Sequence, residues 1–336
     1  MNQLQALSQY TTIVADTGDI DSIAKIHPQD ATTNPSLILK AAKNSAYKKL
    51  LLRAVQEGKD IEDAADRVLV NFGTEILKYV RGRVSTEVDA RLSFDTDKTV
   101  EKARKLISLY KEAGVDPDRV LIKIAATWEG VQAAKILQAE GIHCNLTLIF
   151  SLVQAEIASQ AGATLISPFV GRIYDWHKKN AGADWDEGAN KGTQDPGVKS
   201  VKLIFERLKG VGSKTEIMGA SFRNKEQILA LAGCDLLTIS PALISELENC
   251  SAPVEQRIFK EAVPSLKCEE ISHADFLFTM CADKMATERI ALNAAGLIYL
   301  FEERHVFSRY EGLPFSCLRT ERSRKVLFGQ CAFRKS

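Results

Sequence analysis

No stretch of the 336-residue chain approaches the roughly 18 consecutive apolar residues that a membrane span requires. The opening Met1-Asn2-Gln3-Leu4-Gln5 has no basic region and no long apolar run behind it, so no signal peptide is expected. Cysteine is sparse and scattered, at Cys144, Cys234, Cys250, Cys268, Cys281, Cys317 and Cys331. No CxxC pair occurs, which argues against a zinc site or a disulfide framework and suits a reducing, cytoplasmic setting. The five histidines, His27, His143, His177, His273 and His305, share neither HxH nor HxxxH spacing, so no metal is expected. The GxSxG elbow and the GxxxxGK[ST] phosphate loop are missing too, and no GxGxxG follows the first candidate strand. Neither sign of charge dominates, with 44 Lys and Arg against 43 Asp and Glu. A nucleic acid or a membrane surface is therefore not an expected partner.

What the chain does have is alternation. Short β-branched runs at 12–15, 30–33, 83–88, 120–125, 144–150, 164–169, 216–220 and 236–239 are separated by amphipathic stretches. Apolar residues recur at three- and four-residue spacing over 36–57, 99–113, 129–139, 198–208 and 225–231, which predicts helices. Gly58, Gly114, Gly141 and Gly162 stand where such helices would stop in a left-handed residue. This order implies right-handed βαβ units, and eight of them predict an α/β fold of the (β/α)8 barrel type, a single domain with extra helices. Two connections run long, from Asn34 to Glu87 and from Ser167 to Ser221. The second holds Tyr174-Asp175-Trp176-His177 and a Gly/Asp-rich stretch over 181–197, and is expected to carry function.

Nearly every candidate strand ends in a polar residue: Asp16, Asn34, Glu87, Lys123, Asn145 with Thr147, Ser167 with Arg172, Ser221 with Arg223, and Ser240. In a closed parallel barrel these ends meet at one mouth. Ser240 and Thr32 fit cap or structural roles. Lys123 is sharper, because Val120-Leu121-Ile122-Lys123-Ile124-Ala125-Ala126 contains no other charge. Desolvation there disfavours the ammonium and favours a free amine able to attack a ketone and form a Schiff base. The plainer alternative is a lysine that snorkels to the rim or pairs with Glu87 or Asp16. Asp16 and Glu87 are candidates for the proton transfers that such chemistry needs, with Asp89 competing for the inward position. Arg172 and Arg223, with Ser167 and Ser221, suit a phosphate, although surface ion pairing would also explain the arginines.

At these residues the sequence resembles the transaldolases. The segments that carry the likeness are YTTIVADTGD at 10–19, PQDATTNPSLIL at 28–39, GRVSTEVDARLSF at 82–94, RVLIK at 119–123, HCNLTLIF at 143–150, LISPFVGR at 165–172, DPGVKSV at 195–201 and MGASFRN at 218–224. The resemblance implies a cofactor-free, homodimeric enzyme of the pentose phosphate pathway that acts on sugar phosphates. It implies Lys123 as the Schiff-base lysine and Asp16 as the acid/base at the substrate C4 hydroxyl. Glu87 with Thr147 would act through a water. Asn34 and Asn145 would hold the dihydroxyacetone unit, Ser167 the substrate hydroxyls, and Arg172, Ser221 and Arg223 the phosphate. Phe169 fits the transaldolases, whereas the related fructose-6-phosphate aldolases carry Tyr there.

After about residue 290 the likeness ends. Family members continue into a polar amphipathic helix, whereas here 291–300 is more apolar, and 319–336 carry six Lys or Arg and one Glu. The expected division is therefore a barrel over 1–290 and a divergent segment with a basic tail over 291–336. A spliced or frame-shifted end, a basic arm and a membrane-surface helix are the readings of that segment. An impaired barrel that binds or regulates through its altered end is the non-enzymatic alternative.

Overall fold

In the computed structural model residues 1–292 are described, so the divergent segment, apart from its first two residues, lies outside them. A short helix α1 (Gln3–Leu7) precedes β1 (Thr12–Asp16), α2 (Ile20–Ile26) and β2 (Asp30–Thr32). Three helices, α3 (Pro35–Ala42), α4 (Lys48–Glu57) and α5 (Ile61–Ile76), lead to β3 (Val84–Glu87). Then α6 (Thr96–Glu112), β4 (Val120–Ala125), α7 (Trp128–Ala139), β5 (Cys144–Ile149), α8 (Leu152–Gln160) and β6 (Leu165–Pro168) alternate. They are followed by α9 (Val170–Ala181), α10 (Pro196–Gly210), β7 (Glu216–Gly219), α11 (Lys225–Leu229), β8 (Leu236–Ile239), α12 (Pro241–Glu248) and α13 (His273–Ala282). The eight strands are parallel, pair in chain order and close on themselves, giving the expected barrel.

Two apolar cores result from the strict alternation of strand side chains. Val14, Leu121, Leu165, Met218 and Leu236 fill the lower interior of the barrel. Their neighbours in sequence, such as Ile13, Ile122, Ile166 and Leu237, face outward and pack under the helices. Below the inner layer, Arg83 plugs the N-terminal end. Its guanidinium donates to Asp30 Oδ2 at 2.9 Å and to Glu216 Oε2 at 2.8 Å, and its backbone N–H donates to Asp30 Oδ1 at 2.8 Å.

Three local expectations change. The helix expected over 36–57 is broken, because Asn44 accepts from the Ala46 N–H at 3.1 Å and so competes with the helical ladder. The break is held by Tyr47, whose hydroxyl donates to Asp19 at 2.6 Å. Gly58 is extended rather than left-handed. Its lack of a side chain matters for space, since a Cβ would lie 2.9 Å from the Cα of Ala64. The connection from Ser167 to Ser221 holds, besides α10, which covers the helix expected over 198–208, the unexpected α9. The α9 start escaped notice because Phe169 occupies its cap without a side-chain hydrogen bond.

Candidate active site

Strand register brings the reactive residues into one row. Glu87 pairs with Lys123 across β3 and β4, and Lys123 pairs with Asn145 across β4 and β5. Lys123 and Glu87 are 7% and 5% exposed, and their Nζ and Oε2 atoms stand 3.1 Å apart. Lys123 Nζ also lies 3.5 Å from the Thr33 carbonyl. An ammonium on an apolar strand needs such a partner, because an unpaired buried charge is strongly destabilising. The pairing expected as the plainer alternative is therefore present, and it places a carboxylate within proton-transfer reach of the amine.

Asp16 ends β1 at the same mouth. Burial raises its carboxyl above the usual carboxylate range, and the charge of Glu87 adds to the rise. Lys123, the Thr32 hydroxyl and Arg172 oppose it. Thr32 Oγ1 lies 3.2 Å from Asp16 Oδ1 and 2.7 Å from Thr238 Oγ1, so the ionised carboxylate is reached by a line of hydroxyls running from Thr238 through Thr32. Thr32, expected to be a cap or structural residue, thus touches the Asp16 carboxylate directly. Ser240 occupies the cap position of α12 but makes no side-chain cap bond. Asp89 turns away, accepting from the Arg91 N–H at 2.9 Å and pairing with that side chain, which leaves the inward role to Glu87.

Asn145 is fully buried and fixed from both sides. It donates to Ser85 Oγ at 3.0 Å and accepts from Ser167 Oγ at 2.9 Å. Thr147 is equally buried, yet its hydroxyl has no hydrogen-bond partner among the described residues. Leaving such a group unsatisfied costs about 1–3 kcal/mol, so this hydroxyl marks a place for a water or a substrate oxygen. The residue after it, Leu148, has φ 59°, where β5 bulges against β6. A bulge of this kind re-aims the neighbouring side chain. Asn34 sits at the same end of the barrel and caps α3, accepting from the Leu37 N–H at 3.0 Å.

The far side of the mouth is cationic. Arg172 lies on the first turn of α9, its guanidinium 4.5 Å above the Phe169 ring, which meets Phe150 edge-on at 5.6 Å. Burial lowers the Arg172 pKa, with Arg223 and Arg289 adding repulsion against the pull of Glu87 and Asp16. Such a crowded set of guanidinium charges favours an anion. The backbone of the β7 loop already takes the first α9 amides: Val170 N donates to Ala220 O and Gly171 N to Ser221 O. Ser221 itself has φ 63°. Arg223 donates to Ser221 O at 3.0 Å and pairs with Asp175 at 2.7 Å, half-exposed. Here the ion-pairing explanation of the sequence holds alongside the anion one.

Sequence reasoning missed Asp175 as this partner, Arg289, and two buried glutamines, Gln154 and Gln227. Gln154 stands in the otherwise apolar run Leu152-Val153-Gln154-Ala155, the one place where a signal existed. The Tyr174–His177 motif finds structural uses. Trp176 Nε1 donates to Glu288 at 2.8 Å, and Tyr174 bonds Glu187.

Among the described residues no cluster of His, Cys, Asp and Glu could hold a metal ion, and no helix is long and apolar enough to cross a membrane. The family model described as transaldolase/fructose-6-phosphate aldolase matches residues 13–296. The match takes in all eight strands but for Thr12 at the start of β1, takes in every residue of the mouth described above, and runs six residues past the point where the likeness was expected to end. With a buried lysine and two carboxyl groups set at the C-terminal ends of its strands, the chain belongs to the transaldolase/fructose-6-phosphate aldolase family, whose members are enzymes of the aldolase and transaldolase type.

Proposed function

We propose that the chain is a transaldolase of the non-oxidative pentose phosphate pathway. It would move a dihydroxyacetone unit from sedoheptulose 7-phosphate to glyceraldehyde 3-phosphate, giving erythrose 4-phosphate and fructose 6-phosphate. The observation that carries this reading is the buried Lys123–Glu87 pair, 3.1 Å apart, at a mouth shared with Asp16. Glu87 takes a proton from the ammonium, and the freed amine adds to the C2 ketone. Loss of water from the carbinolamine, with Glu87 and Thr147 handling the water, leaves an iminium. Asp16 then accepts the C4 hydroxyl proton while the C3–C4 bond breaks, and the electron pair moves into the enamine. The first aldehyde departs, and the enamine carbon attacks the second. Asp16 returns its proton to the new hydroxyl, and water regenerates the ketone and the amine.

A carboxyl raised by burial suits both directions of that transfer, because general acid–base efficiency peaks when the pKa lies near the working pH. Asn145 and Asn34 would hold the dihydroxyacetone oxygens, Ser167 a substrate hydroxyl, and Arg172, Ser221 and Arg223 the phosphate. Phe169 favours transfer over release: its ring packs against Arg172 and Phe150 and offers no hydroxyl to bring water to the intermediate.

The test is a borohydride trap. Reduction in the presence of fructose 6-phosphate is expected to leave a dihydroxyacetone adduct on the peptide containing Lys123. Alongside it, the ratio of transfer to free dihydroxyacetone is measured with an acceptor present. An adduct on another lysine overturns the assignment, and dominant release makes the chain a fructose-6-phosphate aldolase instead.

A further inference from the structure

The reaction scheme leaves two fully buried glutamines without a task, and each clamps a loop at the mouth. Gln154, on α8, donates to Ala126 O at 2.8 Å and to Leu148 O at 3.0 Å. Its oxygen accepts from Phe150 N at 3.0 Å and Ser151 N at 3.2 Å. One carboxamide thus ties the end of β4, just past Lys123, to the bulge of β5 beside Thr147. Gln227, on α11, accepts from Arg223 N at 2.7 Å and donates to Asp195 Oδ2 at 2.8 Å. Asp195 in turn caps α10 through Gly197 N at 2.8 Å and Val198 N at 3.2 Å. The start of α10 lies so close to the start of α9 that a Cβ on Gly197 would stand 2.1 Å from Val170 O. The chain Asp195–Gln227–Arg223 therefore locks the β7 loop to the helix that carries Arg172.

Backbone strain falls in the same two places. Among the described residues the non-glycine positive-φ positions are His27, Leu148 and Ser221. His27 ends a helix, while Leu148, in the bulge of β5, and Ser221, in the loop after β7, are at the mouth, each in a segment held by one of the two glutamines. Strained backbone persists only where its surroundings over-determine it, and a fully bonded, buried carboxamide does that.

We propose that Gln154 and Gln227 are positioning residues with divided tasks, Gln154 holding the Schiff-base end of the site and Gln227 the phosphate end. This rests on the reading above, in which Lys123 carries the imine and Arg172, Ser221 and Arg223 take the phosphate. It separates two kinetic constants, with kcat taken per folded molecule, because a general loss of stability lowers the apparent kcat and leaves KM alone.

The experiment compares Gln154→Met and Gln227→Met, which preserve volume and remove the hydrogen bonds. Acceptors are glyceraldehyde 3-phosphate and unphosphorylated glyceraldehyde, at saturating donor. Gln227→Met is expected to raise KM for the phosphorylated acceptor about tenfold and to leave kcat and the unphosphorylated reaction within about twofold. Gln154→Met is expected to lower kcat about tenfold or more with both acceptors and to leave KM near its original value. Gln227→Glu keeps the acceptor for the Arg223 N–H but needs a shared proton to bond Asp195, whose carboxyl burial already pushes up. Its KM is therefore expected near normal at low pH and to climb as pH rises. Should Gln154→Met fail to fold, Gln154→Glu retains the bonds accepted from the two backbone amides, loses the two donated ones, and is expected to show the same fall in kcat.

Equal changes in both constants for both glutamines, or a lowered melting temperature with neither constant moved, would overturn the division. If Arg223→Ala leaves the phosphorylated KM unchanged, the phosphate reading itself fails. If borohydride leaves Lys123 unlabelled, the imine reading fails, whatever the glutamine variants do.

Discussion

The two ends of the barrel hold the same kinds of side chain under opposite constraints. At the N-terminal end, Arg83 meets Asp30 and Glu216, and its bonds to their carboxylates close the set on itself. At the C-terminal end, Lys123 and Glu87 pair, but burial raises the Asp16 carboxyl and the Thr147 hydroxyl has no partner among the described residues. The first arrangement needs nothing more, and so does mechanical work only. The second leaves one buried hydroxyl, that of Thr147, unsatisfied among the described residues, where the proposed reaction would bring its water. Charge inside a barrel therefore indicates function only where its hydrogen bonding is unfinished.

The sharpest way to break the comparison is Lys123→Met. Turnover is expected to fall by roughly ten-thousand-fold or more, as when other enzymes lose their nucleophile. The variant should also lose stability, because Glu87 is left buried and alone, and adding Glu87→Gln should restore part of it without restoring activity. Steady-state rates and denaturant melts of both variants read this. Activity that survives in the single variant would mean the upper end is as structural as the lower.

Arg83→Met is the mirror experiment. Stability is expected to drop by about 3 kcal/mol, the lower end for breaking a buried pair, since Arg83 and Glu216 keep some solvent contact. The kcat of the folded fraction should not change. A loss of kcat would show that the plug shapes the site across the barrel.

Asp16→Asn has the smallest expected effect, about a hundredfold in kcat, typical of a general acid–base residue. Its stability effect runs the other way and depends on pH. The native carboxyl titrates above its unfolded value, so its contribution is fully present below the unfolded pKa and is lost as pH rises through the native one. The variant is therefore expected to melt higher than the parent at neutral pH. That advantage should shrink as pH falls toward the ordinary carboxylate range, about 4. Thermal melts across that range are the check, and a variant less stable at neutral pH would refute the strained carboxyl.

Much of this was legible in the sequence, for a physical reason. Strand alternation makes a lysine in Val120–Ala125 conspicuous, and parallel closure guarantees that strand ends meet. Two strands, Val120–Ala125 and Leu236–Ile239, match the expected bounds at both ends, and of the other six only Thr12–Asp16 runs past its bounds, by one residue. Features that depend on distant partners were not legible. Asp89 and Glu87 share a strand pattern, and only the turn at Ala90–Leu92 decides between them. Arg223 meets Asp175 across 48 residues of chain. Gln227 sits on a five-residue helix where glutamine normally faces water, and nothing local reveals that the buried Asp195 awaits it. Helix 36–57 reads as continuous because an asparagine that breaks a helix differs from one that decorates it only by what its side chain bonds.

The hydroxyl line from Thr238 through Thr32 to Asp16 has a consequence for timing. Each threonine hydroxyl is a rotor that turns about its C–O bond without moving a heavy atom, and in the 2.7 Å pair either oxygen can be the donor. When Asp16 is ionised, Thr32 points its hydrogen at the carboxylate. Once Asp16 has taken a proton, the Thr32 rotor is free to swing toward Thr238 and offer the acid a lone pair. In the proposed reaction the carboxyl would thus be loaded and unloaded once per cycle against a scaffold that stays still, with only two hydrogens keeping step with the chemistry.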